Sequence, residues 1–275
     1  MASSFPTVLA ACFIFLVFLF LSAASGQTTS FRPRALVLPV SKDASTLQYV
    51  TTIRQRTPPH PLPLTLHLGG QFLWADCERD YVSSSYRPAR CRSSVCSLAA
   101  SKGCGQCFSP PRPGCNNNTC SVNPDNPVIR TSTGGEVATD AVSIDSTDGS
   151  TPGRAVTVPN FVFACGSTFL LEGLPRNVKG MAGLGRTRVG LPAQLASAFS
   201  FTRKFAVCLG SRSGVVFFGD GPYNFLPNVD ASQSLAYTPL LINPVSTAGS
   251  YFAGEKSAEY FIGVKSIRVG GKPVP

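Results

Sequence analysis

Leu64-Thr65-Leu66-His67-Leu68-Gly69-Gly70-Gln71-Phe72-Leu73-Trp74-Ala75-Asp76-Cys77 is a run of β-forming residues interrupted once, by a pair of glycines. The alternation of apolar residues over Leu62 to Leu68 predicts a strand that stops at Gly69-Gly70. Gln71-Phe72-Leu73-Trp74 then reads as strand again. His67 falls near the end of that first strand.

Upstream, Leu47-Gln48-Tyr49-Val50-Thr51-Thr52-Ile53 predicts a strand, and Thr57-Pro58-Pro59-His60-Pro61 predicts a turn that no helix can cross. Residues from about Gln27 to Pro39 read as a loose lead-in. Before them, Val8 to Leu21 is an unbroken apolar run followed by Ser22-Ala23-Ala24-Ser25-Gly26. About 14 apolar residues are too few to span a bilayer and suit the core of a signal peptide, here residues 1–26. No later segment has the length and hydrophobicity of a membrane span.

Secretion makes the cysteines legible. Ten are present, and Cys12 lies in the signal. In an oxidising compartment Cys77, Cys91, Cys96, Cys104, Cys107, Cys115, Cys120 and Cys165 are expected to be disulfide-bonded. The Cys104-x-x-Cys107 spacing would fit zinc in a cytosolic chain, but a signal peptide argues against it, and no metal or cofactor is expected. Eight cysteines allow about 105 connectivities, so the pairing stays open. The odd one, Cys208, is the candidate for an unpaired thiol. Residues 77–127 hold seven of the cysteines with many Ser, Pro and Asn and few aliphatics, which predicts a stapled surface excursion. Within it, Asn117-Asn118-Thr119 makes Asn117 a glycan candidate.

Downstream, alternation resumes at Glu136 to Ile144, and Asn160 to Cys165 predicts a buried strand. Asp145-Ser146-Thr147-Asp148-Gly149-Ser150 between them reads as a hairpin tip. Leu191 to Phe199 is the clearest helix, with Pro192 in its first turn and Leu191, Leu195 and Phe199 on one face. Phe205 to Leu209 and Val215 to Phe218 are strands, with Gly219 to Pro222 a turn. Asn228 to Ser234 is linker-like, and Tyr237 to Ile242, Glu259 to Val264 and Ser266 to Val269 begin new β structure. With 25 Gly, 23 Pro and hardly any helical periodicity, the chain predicts an all-β protein.

The formal net charge is +10, with 24 Lys and Arg against 14 Asp and Glu. The basic residues are scattered without a dense run, which in a secreted chain argues against nucleic acid. An acidic polysaccharide or an acidic protein surface is the better partner class.

The opening stretch resembles the catalytic-loop region of pepsin-like proteases, where an apolar strand leads into Asp-Thr-Gly-Ser with a Trp a few residues on. The Leu68-Gly69-Gly70 variant is similar to a plant group of secreted pepsin-shaped proteins. That group comprises xylanase inhibitors, extracellular dermal glycoproteins, xyloglucan-specific endoglucanase inhibitors and basic 7S globulins. Val178 to Arg186, Leu191 to Gln194, Lys204 to Leu209, Val215 to Tyr223, Tyr237 to Leu241 and Glu259 to Ile262 resemble the same group.

The resemblance implies a pepsin-like acid-protease fold. Residues 27–230 would form the complete first lobe and residues 231–275 the opening of a truncated second lobe. It also implies that His67 occupies the place of the first catalytic aspartate. No second Asp-Thr-Gly occurs in the chain. Two carboxylates close enough to share one proton are what the protease mechanism needs, and an imidazole cannot supply that pairing. Thr131-Ser132-Thr133-Gly134-Gly135 stands where active relatives carry a flap tyrosine. No catalytic residue is therefore expected. The expected function is inhibition of cell-wall-degrading glycoside hydrolases in the plant extracellular space. An aspartic-type endopeptidase and a storage, wall-bound or peptide-binding protein are the alternatives.

Overall fold

A computed structural model describes residues 31–226, 229–249 and 253–274. The signal-peptide expectation, and with it Cys12, falls outside these residues. Pro33–Pro275 forms one compact unit.

The first sheet strands are β1 (Ala35–Lys42), β2 (Tyr49–Gln55), β3 (His60–His67) and β4 (Trp74–Asp76). Through the cysteine-rich excursion run β5 (Arg87–Pro88), helix α1 (Ser94–Leu98), β6 (Gly103–Gly105) and β7 (Thr119–Val122). The short pair β8 (Asp125–Asn126) and β9 (Thr131–Ser132) comes next. Then come the long strands β10 (Gly135–Thr147) and β11 (Pro152–Gly166), β12 (Gly180–Gly183), helix α2 (Leu191–Phe199), β13 (Phe205–Leu209) and β14 (Ser213–Gly219). Twelve of these strands join in one sheet, ordered β13-β14-β1-β2-β3-β12-β4-β11-β10-β7-β6, with β5 on β10. β10 also pairs with β1 and β2, so the sheet curls back on itself around the core.

That core is the inward face of the alternating strands: Leu36, Leu38, Ile53, Leu62, Leu64, Phe161, Phe163, Val216 and Phe218 are buried in a single cluster. Helix α2 closes one side with Leu191 and Leu195, and half-buried Phe199 packs beside them. Gln194 on the same helix is also buried. Its side chain accepts from Val162 N at 2.7 Å and donates to the Val162 and Val189 carbonyls, both at 2.8 Å, so the helix is hydrogen-bonded as well as packed to β11.

The expected loose lead-in is corrected in part. Ala35 to Pro39 belong to β1, a central strand with Leu36 fully buried. Its near-continuous apolar run is what a strand enclosed on both faces needs, and Pro39 is accommodated within its pairing to β14. The turn before β3 spans residues 56–59, so His60 and Pro61 already belong to the strand. Residues 71–73 bend rather than continue as strand, because the chain must leave β3 and return as β4 on the far side of β12.

The excursion is stapled by Cys91–Cys104, Cys96–Cys120 and Cys107–Cys115, while Cys77–Cys165 ties its start to β11. Among the described residues Cys208 on β13 has no disulfide partner. Two buried carboxylates add polar anchors. Asp140 accepts from the hydroxyls of Tyr81, Ser83 and Ser85. Glu136 accepts from the Tyr86 hydroxyl, from Asn116 N and from Thr119 Oγ1. Burial and the adjacent carboxylates push both tyrosine hydroxyls far above their ordinary titration range. The tip joining β10 to β11 is residues 148–151, so the expected tip at Asp145 to Ser150 is corrected: Asp145 to Thr147 still belong to β10, where Asp145 pairs with Ala155 and Val37.

After β14, β15 (Asn224–Leu226) pairs with β16 (Val229–Asp230). β17 (Leu240–Leu241) pairs with β18 (Phe261–Ile262), and β19 (Ile267–Val269) pairs with β20 (Lys272–Val274). The return strand after Gly270-Gly271 thus lies within the chain.

Candidate functional site

β12 is the element that builds the site. It lies between β3 and β4, parallel to the first (Gly183 opposite His67) and antiparallel to the second. The backbone carbonyl of His67 accepts from Gly70 N at 3.1 Å and from Leu184 N at 3.0 Å, which fixes both the turn and the end of the strand. Gly70 has no room for a side chain. A Cβ there would stand 2.8 Å from His67 Nδ1 and 2.9 Å from Gly183 Cα. The absence of a side chain at Gly70 therefore lets the imidazole lie close against the turn.

His67 lines a cleft of about 180 Å³ together with Asp125, Arg130, Thr131, Thr247 and Glu259. Asp125 is held by the indole of Trp74, whose Nε1 donates to the Asp125 carbonyl at 3.0 Å. This explains why a Trp comes after the turn: it props the β8–β9 hairpin over the histidine. Glu259 accepts from Thr247 Oγ1. Its segment is fastened by Tyr260, whose hydroxyl donates to the Leu184 carbonyl at 2.7 Å, and by Arg186 N, which donates to the Ala258 carbonyl at 2.8 Å. Burial lowers the pKa of His67 against the opposing pull of Asp125 and Glu259. Burial raises that of Asp125 despite the nearby imidazole. Desolvation outweighs attraction for both, so the cleft favours uncharged forms.

Thr131 and Ser132, the first part of the segment expected at the flap position, form β9 and line or flank this cleft, and no tyrosine is among the lining residues. Asp125 and Glu259 carry no signal in the sequence. Asp125 sits between Pro124 and an asparagine in a polar stretch, and Glu259 lies 192 positions from His67. Only the fold brings them to one place. Asn117 is exposed, and its side-chain oxygen accepts from Cys107 N at 2.8 Å. Among the described residues no group of three His, Cys, Asp or Glu is placed to hold a metal ion.

The xylanase inhibitor N-terminal family matches residues 49–220, which take in β2 through β14 and the whole His67 turn. The chain belongs to this family. It is 62% identical over 263 residues to a protein named probable aspartic proteinase GIP2 of Nicotiana benthamiana, covering 94% of this chain and 60% of that one. Among solved structures, edgp superposes with a TM-score of 0.87 at 63% identity over 90% of this chain and 60% of that one. Basic 7S globulin from soybean superposes with a TM-score of 0.78 at 38% identity over 88% and 61%. The chain thus spans about 60% of the length of these relatives. The fold is the pepsin-like one that the family resemblance implied, and it carries His67 on the strand end that the turn motif marks.

Proposed function

We propose that this family member is a secreted, non-catalytic pepsin-like protein that inhibits cell-wall-degrading glycoside hydrolases in the plant extracellular space. The observation that carries the reading is His67. An aspartic peptidase activates water with one carboxylate while a second, sharing its proton, protonates the substrate carbonyl. Here the strand end presents an imidazole whose burial disfavours its charged form. It is donor and acceptor of a different shape, and it cannot share a proton as a second carboxyl does. A cleft kept open but relieved of peptidase chemistry fits a binding protein. The family match supports glycoside hydrolases as the partner class. The net charge of +10 favours approach to the carboxylate-lined clefts of such enzymes.

The test is inhibition of a panel of microbial xylanases and xyloglucan-active endoglucanases by the purified protein. Loss of hydrolase activity at stoichiometric inhibitor is expected, and a panel left untouched overturns the reading. The name of the Nicotiana relative favours an endopeptidase as a second reading. Pepstatin-sensitive cleavage of a denatured protein at acid pH would establish it. The likeness to basic 7S globulin favours a storage or wall-bound role, which hydrolase inhibition would separate from the first.

A further inference from the structure

Sharing no lining residue with the His67 cleft, a pocket of about 330 Å³ opens between the start of helix α2, the loop before β13 and the β17–β18 segment. Arg186, Arg203 and Lys204 all line it, with Phe205, Pro192 and Tyr260 as its apolar wall. Phe205 and Tyr260 meet edge to face, ring centroids 5.6 Å apart. The three cations differ in how far they are committed. Lys204 is paired with Asp220. Arg186 spends one nitrogen on the Leu241 carbonyl at 3.0 Å, which orients its guanidinium, and its side chain makes no other hydrogen bond found among the described residues. Arg203 is exposed and makes none of the hydrogen bonds or ion pairs found among the described residues. Both arginines line the pocket beside Tyr260 and oppose the rise that burial causes in the pKa of its hydroxyl.

We propose that this pocket binds the carboxylate of a uronic acid residue in an acidic polysaccharide. A guanidinium offers paired N–H donors that match a carboxylate. The two arginines supply that match above an aromatic wall, on which the C–H face of a pyranose ring packs. The size and concavity suit a small ring rather than a flat protein surface. The net charge of +10 raises the local concentration of a polyanion. This site is independent of hydrolase inhibition and needs no residue of the His67 cleft.

The experiment is titration of the purified protein with trigalacturonic acid, read by calorimetry and NMR shifts, against three other probes: its methyl ester, inorganic phosphate and a short glutamate peptide. The acid is expected to bind at least tenfold more tightly than the ester. Arg203→Gln is expected to weaken it about tenfold, the loss of one charge-assisted contact, with an unchanged melting temperature because Arg203 is exposed. Arg188→Gln, exposed and outside the pocket, is expected to change nothing. Equal binding of ester and acid, or an Arg203→Gln protein that binds as before, overturns the proposal. So does phosphate binding as tightly as the sugar, which would make this a simple anion site, or the peptide binding more tightly, which would point to a protein partner.

Discussion

His67→Asp would rebuild the first carboxylate of a peptidase dyad, and the surroundings of residue 67 predict its effect on stability and activity. The new carboxyl would enter a partly buried cleft that already holds Asp125 and Glu259. Burial and the neighbouring carboxyl groups oppose its ionisation, and a rise of about one to two pH units in its titration corresponds to about 1–3 kcal/mol. For a chain of this size that lowers Tm by about 2–10 °C at pH 7. The deficit has a defined pH sense. A carboxyl whose folded pKa is raised contributes stability below its unfolded value, near 4, and loses it as pH rises through the folded value. The wild type runs the other way, because the lowered pKa of His67 gives stability above its ordinary value of 6.5 that is lost as pH falls. The variant is therefore expected to melt below the wild type at pH 7 and level with it, or above it, near pH 4. No peptide cleavage is expected at acid pH. Thermal melts by circular dichroism at both pH values, beside a pepstatin-controlled digestion assay, check this. Equal melting temperatures at pH 7 would refute the account of the cleft, and pepstatin-sensitive cleavage would refute the account of its chemistry.

Gln194→Leu keeps the bulk of the side chain but strands the Val162 N–H and the Val162 and Val189 carbonyls, so a loss of about 2 kcal/mol or more is expected in urea unfolding. Removing Cys77–Cys165 by a double serine substitution opens a loop of 88 residues, whereas removing Cys107–Cys115 opens one of 8. Loop entropy predicts losses of about 4.6 and 2.5 kcal/mol respectively, and equal effects on Tm would contradict it. Asn117 is exposed, and the oxygen that accepts from Cys107 N is not the atom a glycan joins. An Asn117→Gln protein from a plant host is expected to run smaller on a gel, by the same amount as enzymatic deglycosylation shifts the wild type.

The turn at Gly69-Gly70, helix α2, most of β10 and the second half of β11 were legible in the sequence because each is specified locally. A glycine pair where no Cβ fits, a proline in a first helical turn and a period-two alternation all act over a few residues. Strand β1 was not legible. Its burial comes from β14, β2 and β10 enclosing it, and its sequence alone, flanked by Pro33 and carrying Pro39, resembles a loop. The eight cysteines were identified as bridged, but their pairing depends on which loops meet in space. Most of all, the sequence marked His67 as the residue at the strand end. The insertion of β12 between β3 and β4 placed it there in three dimensions. Long-range packing then brought Asp125 and Glu259 to its side and Trp74 beneath its roof. A one-dimensional pattern can name a residue on a rigid element, but the field around that residue is set by groups far away in the chain.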